Sequence, residues 1–289
     1  MDTGNAYEDL VGHDDARWAF GTGFHDPLEG MDTTVPAGVD LSALAAYCLM
    51  LGDDALIMSH RLQEWCTRAP ELEEEVAIAN IALDLLGQAR LLLTRAGQAD
   101  GTGRTEDDLA FFRDTPEFRH VNFVERPNGD FAVEMIRLLV FAAWRLALLE
   151  QLTRSADPVL SAVAAKGVKE VTYHRDYAAR WVVRLGDGTD ESHRRTQAAL
   201  DRVVPLAGEL FAVHPIEQTL AEGGVAADPA AVQPVVAQVL DQVAEAGGLV
   251  RPRIGQADPA GRDGRHTDAL PPLLEELQSV ARAHPGATW

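Results

Sequence analysis

The stretch Ile78-Ala79-Asn80-Ile81-Ala82-Leu83-Asp84-Leu85-Leu86-Gly87-Gln88-Ala89-Arg90 decides how this chain is read. Helical bundles that hold two metal ions take one carboxylate from each of two helices and a Glu-x-x-His pair from each of the other two. Residues three apart stack on one helix face, so such a pair can aim at one metal. In the frame that best fits a pair, this stretch offers Leu85 and Gln88. Leucine cannot ligate a metal and a neutral amide is a poor substitute for imidazole, so the stretch predicts such a bundle without its metal chemistry.

Working outward, Leu44, Tyr47, Leu51, Met58, Leu62 and Trp65 recur at three and four residue steps and predict one amphipathic helix over about 40–67. Arg68 to Pro70 ends it. A second helix starts with Pro70 at or near its first position, and Glu71, Glu73, Glu74 and Glu75 sit where the helix dipole favours anions. It runs to about Ala96, and Gly97 to Thr105 breaks it. After a short helix near 106–114 and a turn at Asn128-Gly129, a third long helix covers about 130–155. Asp157-Pro158 caps a fourth, about 158–185, and Thr189 or Ser192 caps a fifth that runs to about Phe211. Looser helices follow near 229–246 and 271–283. The expected fold is all-α: a ferritin-like up-and-down helical bundle with additional C-terminal helices, over residues 40–289. Residues 1–39 read as a flexible acidic arm in which Trp18, Phe20 and Phe24 pack on the domain or dock on a partner.

The metal inventory is short on every helix. Asp54 shares the inward stripe of the first helix with Leu51 and Met58, either as a core-facing carboxylate or bonded to a neighbouring Arg or Asn. Asn80, Asp84 and Gln88 recur every four residues as a polar strip: a remnant site, a hydrogen-bond network, or a seam against another subunit. The third helix reads Leu138-Leu139-Val140-Phe141-Ala142-Ala143-Trp144 at its centre, with Glu134 and Glu150 only near its ends. On the fourth, His174 faces inward, the residue three before it is Val171, and Glu170 lies one turn away where it can bond and orient the ring. The remnant positions are thus Asp54, Asp84, Leu85, Gln88, Glu170, Val171 and His174, and no catalytic, cofactor-binding or metal-binding residue is assigned. His60 and Glu64 read as an exposed helix pair. Arg262, Arg265 and His266 read as part of a mobile loop, or as a site for an anionic cofactor such as coenzyme A or an acidic partner.

Composition narrows the function classes. The 289 residues carry 45 acidic against 25 basic side chains, a formal charge of -20 that repels nucleic-acid phosphates and anionic membranes. The longest apolar run, Leu138 to Leu149, contains Arg145 and falls short of the roughly 20 residues needed to span a bilayer. The acidic start has neither the basic residues nor the apolar stretch of a secretory signal, and Cys48 and Cys66 are too far apart along one predicted helix to pair. A cytoplasmic protein is expected.

Several runs resemble one family closely: Leu51-Gly52-Asp53-Asp54-Ala55-Leu56, Glu64 to Glu73, Leu83 to Arg90, Glu125 to Ala132, Lys169 to His174, Arg184 to Asp190 and Pro285 to Trp289. They are similar to the non-catalytic C subunit of bacterial phenylacetyl-CoA ring epoxidase, from about Leu41 to Trp289. The resemblance implies a structural subunit that stabilises a homologous catalytic subunit, which holds the di-iron centre and binds the coenzyme A thioester, within a larger hetero-oligomeric oxygenase. Where that catalytic relative resembles Asp-Glu-x-Gly-His, this chain has Asp84-Leu85-Leu86-Gly87-Gln88; where it resembles Lys-Glu-Glu-x-x-His, this chain has Lys169-Glu170-Val171-Thr172-Tyr173-His174. Only His174 stands in a ligand position. The competing expectations are a self-sufficient metalloenzyme using Asp54, Asp84, Glu170 and His174, and a stand-alone bundle that binds an apolar ligand.

Overall fold

A computed structural model describes residues 28–285 and 287. Every described element is helical. The first long helix, α1 (Leu41–Gln63), begins where the Asp40 side chain accepts from the backbone N–H groups of Ser42 and Ala43. The second, α2 (Leu72–Ala99), carries Glu73, Glu74 and Glu75 in its first turn, with Glu71 as cap residue and Pro70 just outside. The third and fourth are α5 (Phe131–Leu152), capped by Asp130, and α6 (Pro158–Gly186), capped by Asp157 with Pro158 in its first turn. Between the pairs lie α3 (Glu106–Phe111), whose Thr105 and Asp108 form a capping box, and the single turn α4 (Asn122–Glu125).

Two helical hairpins build the bundle. α1 packs along α2, α5 packs along α6, and α2 meets α6 across the seam. α5 is the axial element. Every residue from Ala132 to Leu149 is buried, Trp144 and Arg145 among them. An all-round apolar helix must be enclosed by others, and α7 (Asp190–Val203) and α9 (Gln233–Ala246) close the side that α6 leaves open.

Beyond α6 the chain departs from expectation in one place. The fifth helix ends at Val203, and Val204–Phe211 continues as 3₁₀ turns. Pro205 is the cause, because it lacks the N–H an α-helix needs there and its ring crowds the preceding turn. Thr189, not Ser192, is the cap. A helix absent from the sequence reading, α8 (Pro215–Glu222), starts from His214, with Pro215 first and Glu217 closing the capping box. α10 (Leu270–Ala283) ends the described chain.

Residues 28–39 fall in the segment expected as an arm, yet Leu28 is buried and the Thr33 carbonyl accepts from Arg95 at 2.7 Å. Trp18, Phe20 and Phe24 lie outside the described residues. By length and composition α1 and α2 are apolar enough to cross a membrane. Charge placement accounts for that apolarity differently: α1 buries Asp53, Asp54 and Arg61, each held by groups from distant segments, so its apolar faces serve a protein core.

Candidate functional site

The bundle interior brings the remnant positions together around a guanidinium. Arg145 of α5 donates from Nε to Gln88 Oε1 on α2 at 2.8 Å, and from a terminal nitrogen to the Leu51 carbonyl on α1 at 3.2 Å. Gln88 in turn donates from Nε2 to Glu170 Oε2 on α6 at 2.8 Å. All four long helices therefore converge on one cation. Burial lowers the Arg145 pKa to about 10, with the neighbouring Asp54 carboxylate opposing the shift, so the group stays charged at neutral pH. Its remaining terminal nitrogen is buried without a hydrogen-bond partner. Gly167 leaves room for this arrangement, since a Cβ there would come within 2.9 Å of Leu149 and 3.4 Å of the Gln88 amide.

Leu85 and Val171, where carboxylate ligands would stand, are fully buried in the apolar core. Asp54 does face inward, and its partner comes from far along the chain: Arg262 lies 2.9 Å away, and the Val121 N–H donates to Asp54 Oδ1 at 2.9 Å. This corrects the reading of Arg262 in a mobile loop or anion site, because a fully buried guanidinium already paired with a carboxylate has nothing left for a solution anion. Arg265 is exposed beside Asp263, while the His266 side chain is buried.

The expected Glu170 bond to His174 does not form. His174 Nε2 lies 3.0 Å from Asp84 Oδ2, and Glu170 serves Gln88 and Lys166 instead. On α2 the polar strip therefore divides. Asp84 and Gln88 reach α6 as a hydrogen-bond network, whereas Asn80 is exposed. His60 and Glu64 are not an exposed pair either: His60 is largely buried, its pKa lowered by that burial, and Glu64 accepts from Arg61 at 2.7 Å and Asn128 at 2.9 Å.

These donors do not fit a di-iron centre. Two ligand positions are hydrocarbon, Asp54 is neutralised by Arg262, Glu170 is held by an amide, and a dication would meet the Arg145 charge at close range. Restoring ligands by Leu85→Glu, Gln88→His and Val171→Glu together is expected to cost several kcal/mol in metal-free protein, because two carboxylates would enter an apolar interior. Thermal melts in chelator test this; an unchanged midpoint would contradict the apolar filling.

Asn80 belongs to a different surface. Leu72, Val76, Asn80 and Leu83 follow the helical repeat on the outer face of α2, and the three apolar ones are 70%, 54% and 59% exposed. Nearby on α6, Tyr173 is exposed at the mouth of a groove lined by Glu74, Tyr177, Arg180, Trp181 and Arg184. There the Tyr177 hydroxyl and Trp181 Nε1 both donate to Glu74 Oε2. Burial, then the adjacent carboxylate, pushes the Tyr177 hydroxyl well above its usual range.

Sequence reading missed two groups altogether. Arg113 and the Arg119 N–H both bind Asp53, the neighbour of Asp54, so the Asp53-Asp54 pair anchors two separate parts of the α3 to α5 connection. His120 and Glu125 meet His266, with His120 Nε2 2.7 Å from Glu125 Oε2. Neither group leaves a local signal, since Asp53 and His266 come from segments far from their partners.

Fold and core together define a ferritin-like helical bundle whose interior holds Leu85, Val171 and the Arg145 guanidinium. The chain belongs to the phenylacetic acid catabolic protein family, which matches it over residues 31–289. It is 42% identical over 250 residues to the C subunit of 1,2-phenylacetyl-CoA epoxidase from Escherichia coli (strain K12), an alignment covering 86% of this chain and 100% of that relative.

Proposed function

We propose that this chain is a structural, non-catalytic subunit of a phenylacetyl-CoA epoxidase that works in the cytoplasm. It stabilises a homologous subunit that carries the di-iron centre and the coenzyme A thioester, and it holds no cofactor in its own bundle core. Arg145 is the observation that carries this reading. Occupying the bundle core with a fixed cation, tied to three helices through Leu51, Gln88 and Glu170, gives a core that is complete without metal. Such a subunit acts through its surface, and the exposed apolar row on α2 supplies a hydrophobic centre of the kind partner helices bury.

Co-expression with the catalytic subunit followed by metal analysis tests the proposal. A stable complex with iron confined to the partner is expected; two irons bound within this chain's bundle, or a chain that stays monomeric beside the partner, would overturn it. The α2 surface makes a sharper prediction. Val76→Asp with Leu83→Asp is expected to weaken the complex by about 2 kcal/mol or more, about 30-fold or more in Kd, while the isolated chain melts within a few degrees of the parent. Surface plasmon resonance and thermal melts read the two arms.

A further inference from the structure

Two imidazoles and a carboxylate meet where the connection before α5 is crossed by the segment before α10. We propose that His120 Nε2, Glu125 Oε2 and His266 Nδ1 form a site for one divalent transition-metal ion of the zinc type, which clasps the C-terminal segment to the α4 connection.

Among the described residues this is the group of histidine, cysteine and carboxylate side chains whose ligand atoms come close enough to share an ion, all within 4.8 Å of one another. All three side chains are at most 1% exposed. Two histidines with one glutamate is a donor set suited to zinc and its neighbours, and hard cations such as magnesium prefer oxygen alone.

The surrounding groups are arranged as partners of metal ligands usually are. His266 Nε2 lies 3.0 Å from the Phe118 carbonyl, an acceptor, so that nitrogen carries a proton and the ring is held with Nδ1 toward the cluster. Glu125 Oε1 accepts the Thr267 N–H at 2.6 Å, which fixes the carboxylate with Oε2 toward both rings. The rings themselves stack, 4.3 Å between centroids.

One atom asks for a cation. His266 Nδ1 lies 3.0 Å from Glu125 Oε2 and is shut off from water, so the two atoms share whatever positive charge stands between them. A nitrogen lone pair facing a carboxylate oxygen in the interior needs a positive charge between them, which a proton or a metal ion supplies. A metal ion answers both this pair and His120 Nε2 at once, the neutral His120 ring carrying its proton on Nδ1 instead of Nε2 when the ion is bound.

The site also has a structural use. Gly261 brings its segment so close to the His120 carbonyl that a Cβ would stand 2.1 Å from that oxygen, and its N–H donates to Glu209 at 2.8 Å. Together with the Arg262 pair to Asp54, an ion here would be the second pin on the same crossing.

The test uses the full chain, stripped with chelator, refolded with and without zinc, and measured by elemental analysis and thermal melting. About one zinc per chain, a raised melting midpoint, and roughly 100-fold weaker binding in His120→Ala and His266→Ala are expected. Because either variant risks poor folding, cobalt substitution of the parent chain gives an independent reading: visible bands of a nitrogen- and oxygen-ligated ion are expected. Cobalt spectra without such ligation, zinc that binds equally well in the His120→Ala chain, or a refolded parent that retains no zinc above background would each overturn the proposal. Failure here leaves the structural-subunit reading standing, since Leu85, Gln88 and Arg145 play no part in this site.

Discussion

Arg145→Ala is expected to lower the unfolding free energy by about 3–5 kcal/mol, the range seen when one member of a buried charged network is removed. Two effects add. Truncation empties the space of a long side chain that is 2% exposed between four helices. It also strands the Gln88 carbonyl oxygen, whose bond to Arg145 Nε is 2.8 Å, and takes away the positive charge nearest Asp54 and Glu170 that is contributed from α5. Arg145→Met separates these contributions: it restores most of the volume and none of the hydrogen bonds. Its cost is expected to fall below that of alanine, and adding Gln88→Leu should recover part of it, giving a coupling energy of about 1–2 kcal/mol in a double-mutant cycle. Urea denaturation of the parent, Arg145→Ala, Arg145→Met, Gln88→Leu and the Arg145→Met, Gln88→Leu double variant decides. A loss under about 0.5 kcal/mol for Arg145→Ala would mean that the guanidinium is a passenger and that apolar packing alone holds the interior.

That outcome matters for the proposed function because it distinguishes two ways a bundle core can do without a metal. Deleting ligands alone would leave carboxylates in search of a cation, and such a core would remain prone to adventitious metal. Supplying arginines removes the demand: Asp54 is answered by Arg262 and Glu170 is engaged through Gln88 by Arg145. The expected corollary is that the parent chain excludes iron from the bundle even when refolded in its presence.

Local rules made much of this legible. The long helices announce themselves by period, and their caps are readable at Asp157 and Thr189 because a cap needs only its own next three residues. The apolar character of two core positions is equally local, since Leu85 and Val171 offer no donor wherever the chain folds, and both are buried. Partner choice is different. Asp54 finds Arg262, Asp84 finds His174 and His120 finds His266 only after distant segments have packed, and no spacing rule reaches that far. Arg145 shows the same limit from the other side. In the sequence it interrupts an apolar run and argues against a membrane span, while in the fold it is the polar centre that the run encloses. Glu170 lies one turn from His174, yet the shorter path across the helix interface sends Gln88 to Glu170 and Asp84 to His174.

Asp157→Ala is the second large effect expected, again about 3–5 kcal/mol. Asp157 does two jobs with its two oxygens. Oδ1 accepts the Leu160 N–H at 2.9 Å and caps α6, and Oδ2 pairs with the Arg95 guanidinium of α2, with both side chains at most 1% exposed. Losing the cap alone costs about 1 kcal/mol. The larger part comes from Arg95, left charged in the interior with the Thr33 carbonyl as its remaining bonded partner. Asp157→Asn therefore discriminates: it keeps an acceptor for Leu160 and removes the negative charge, so its loss should exceed the cap term and approach that of alanine. Arg95→Leu combined with Asp157→Asn should recover about 1–3 kcal/mol relative to Asp157→Asn alone, because a buried charge without its counterion is worse than no charge. Arg95→Leu also frees Thr33, so limited proteolysis is expected to cut within residues 28–39 in the double variant at conditions where the parent resists. Equal protection of that segment in both proteins would show that Leu28, buried at 2% exposure, holds it without help from Arg95.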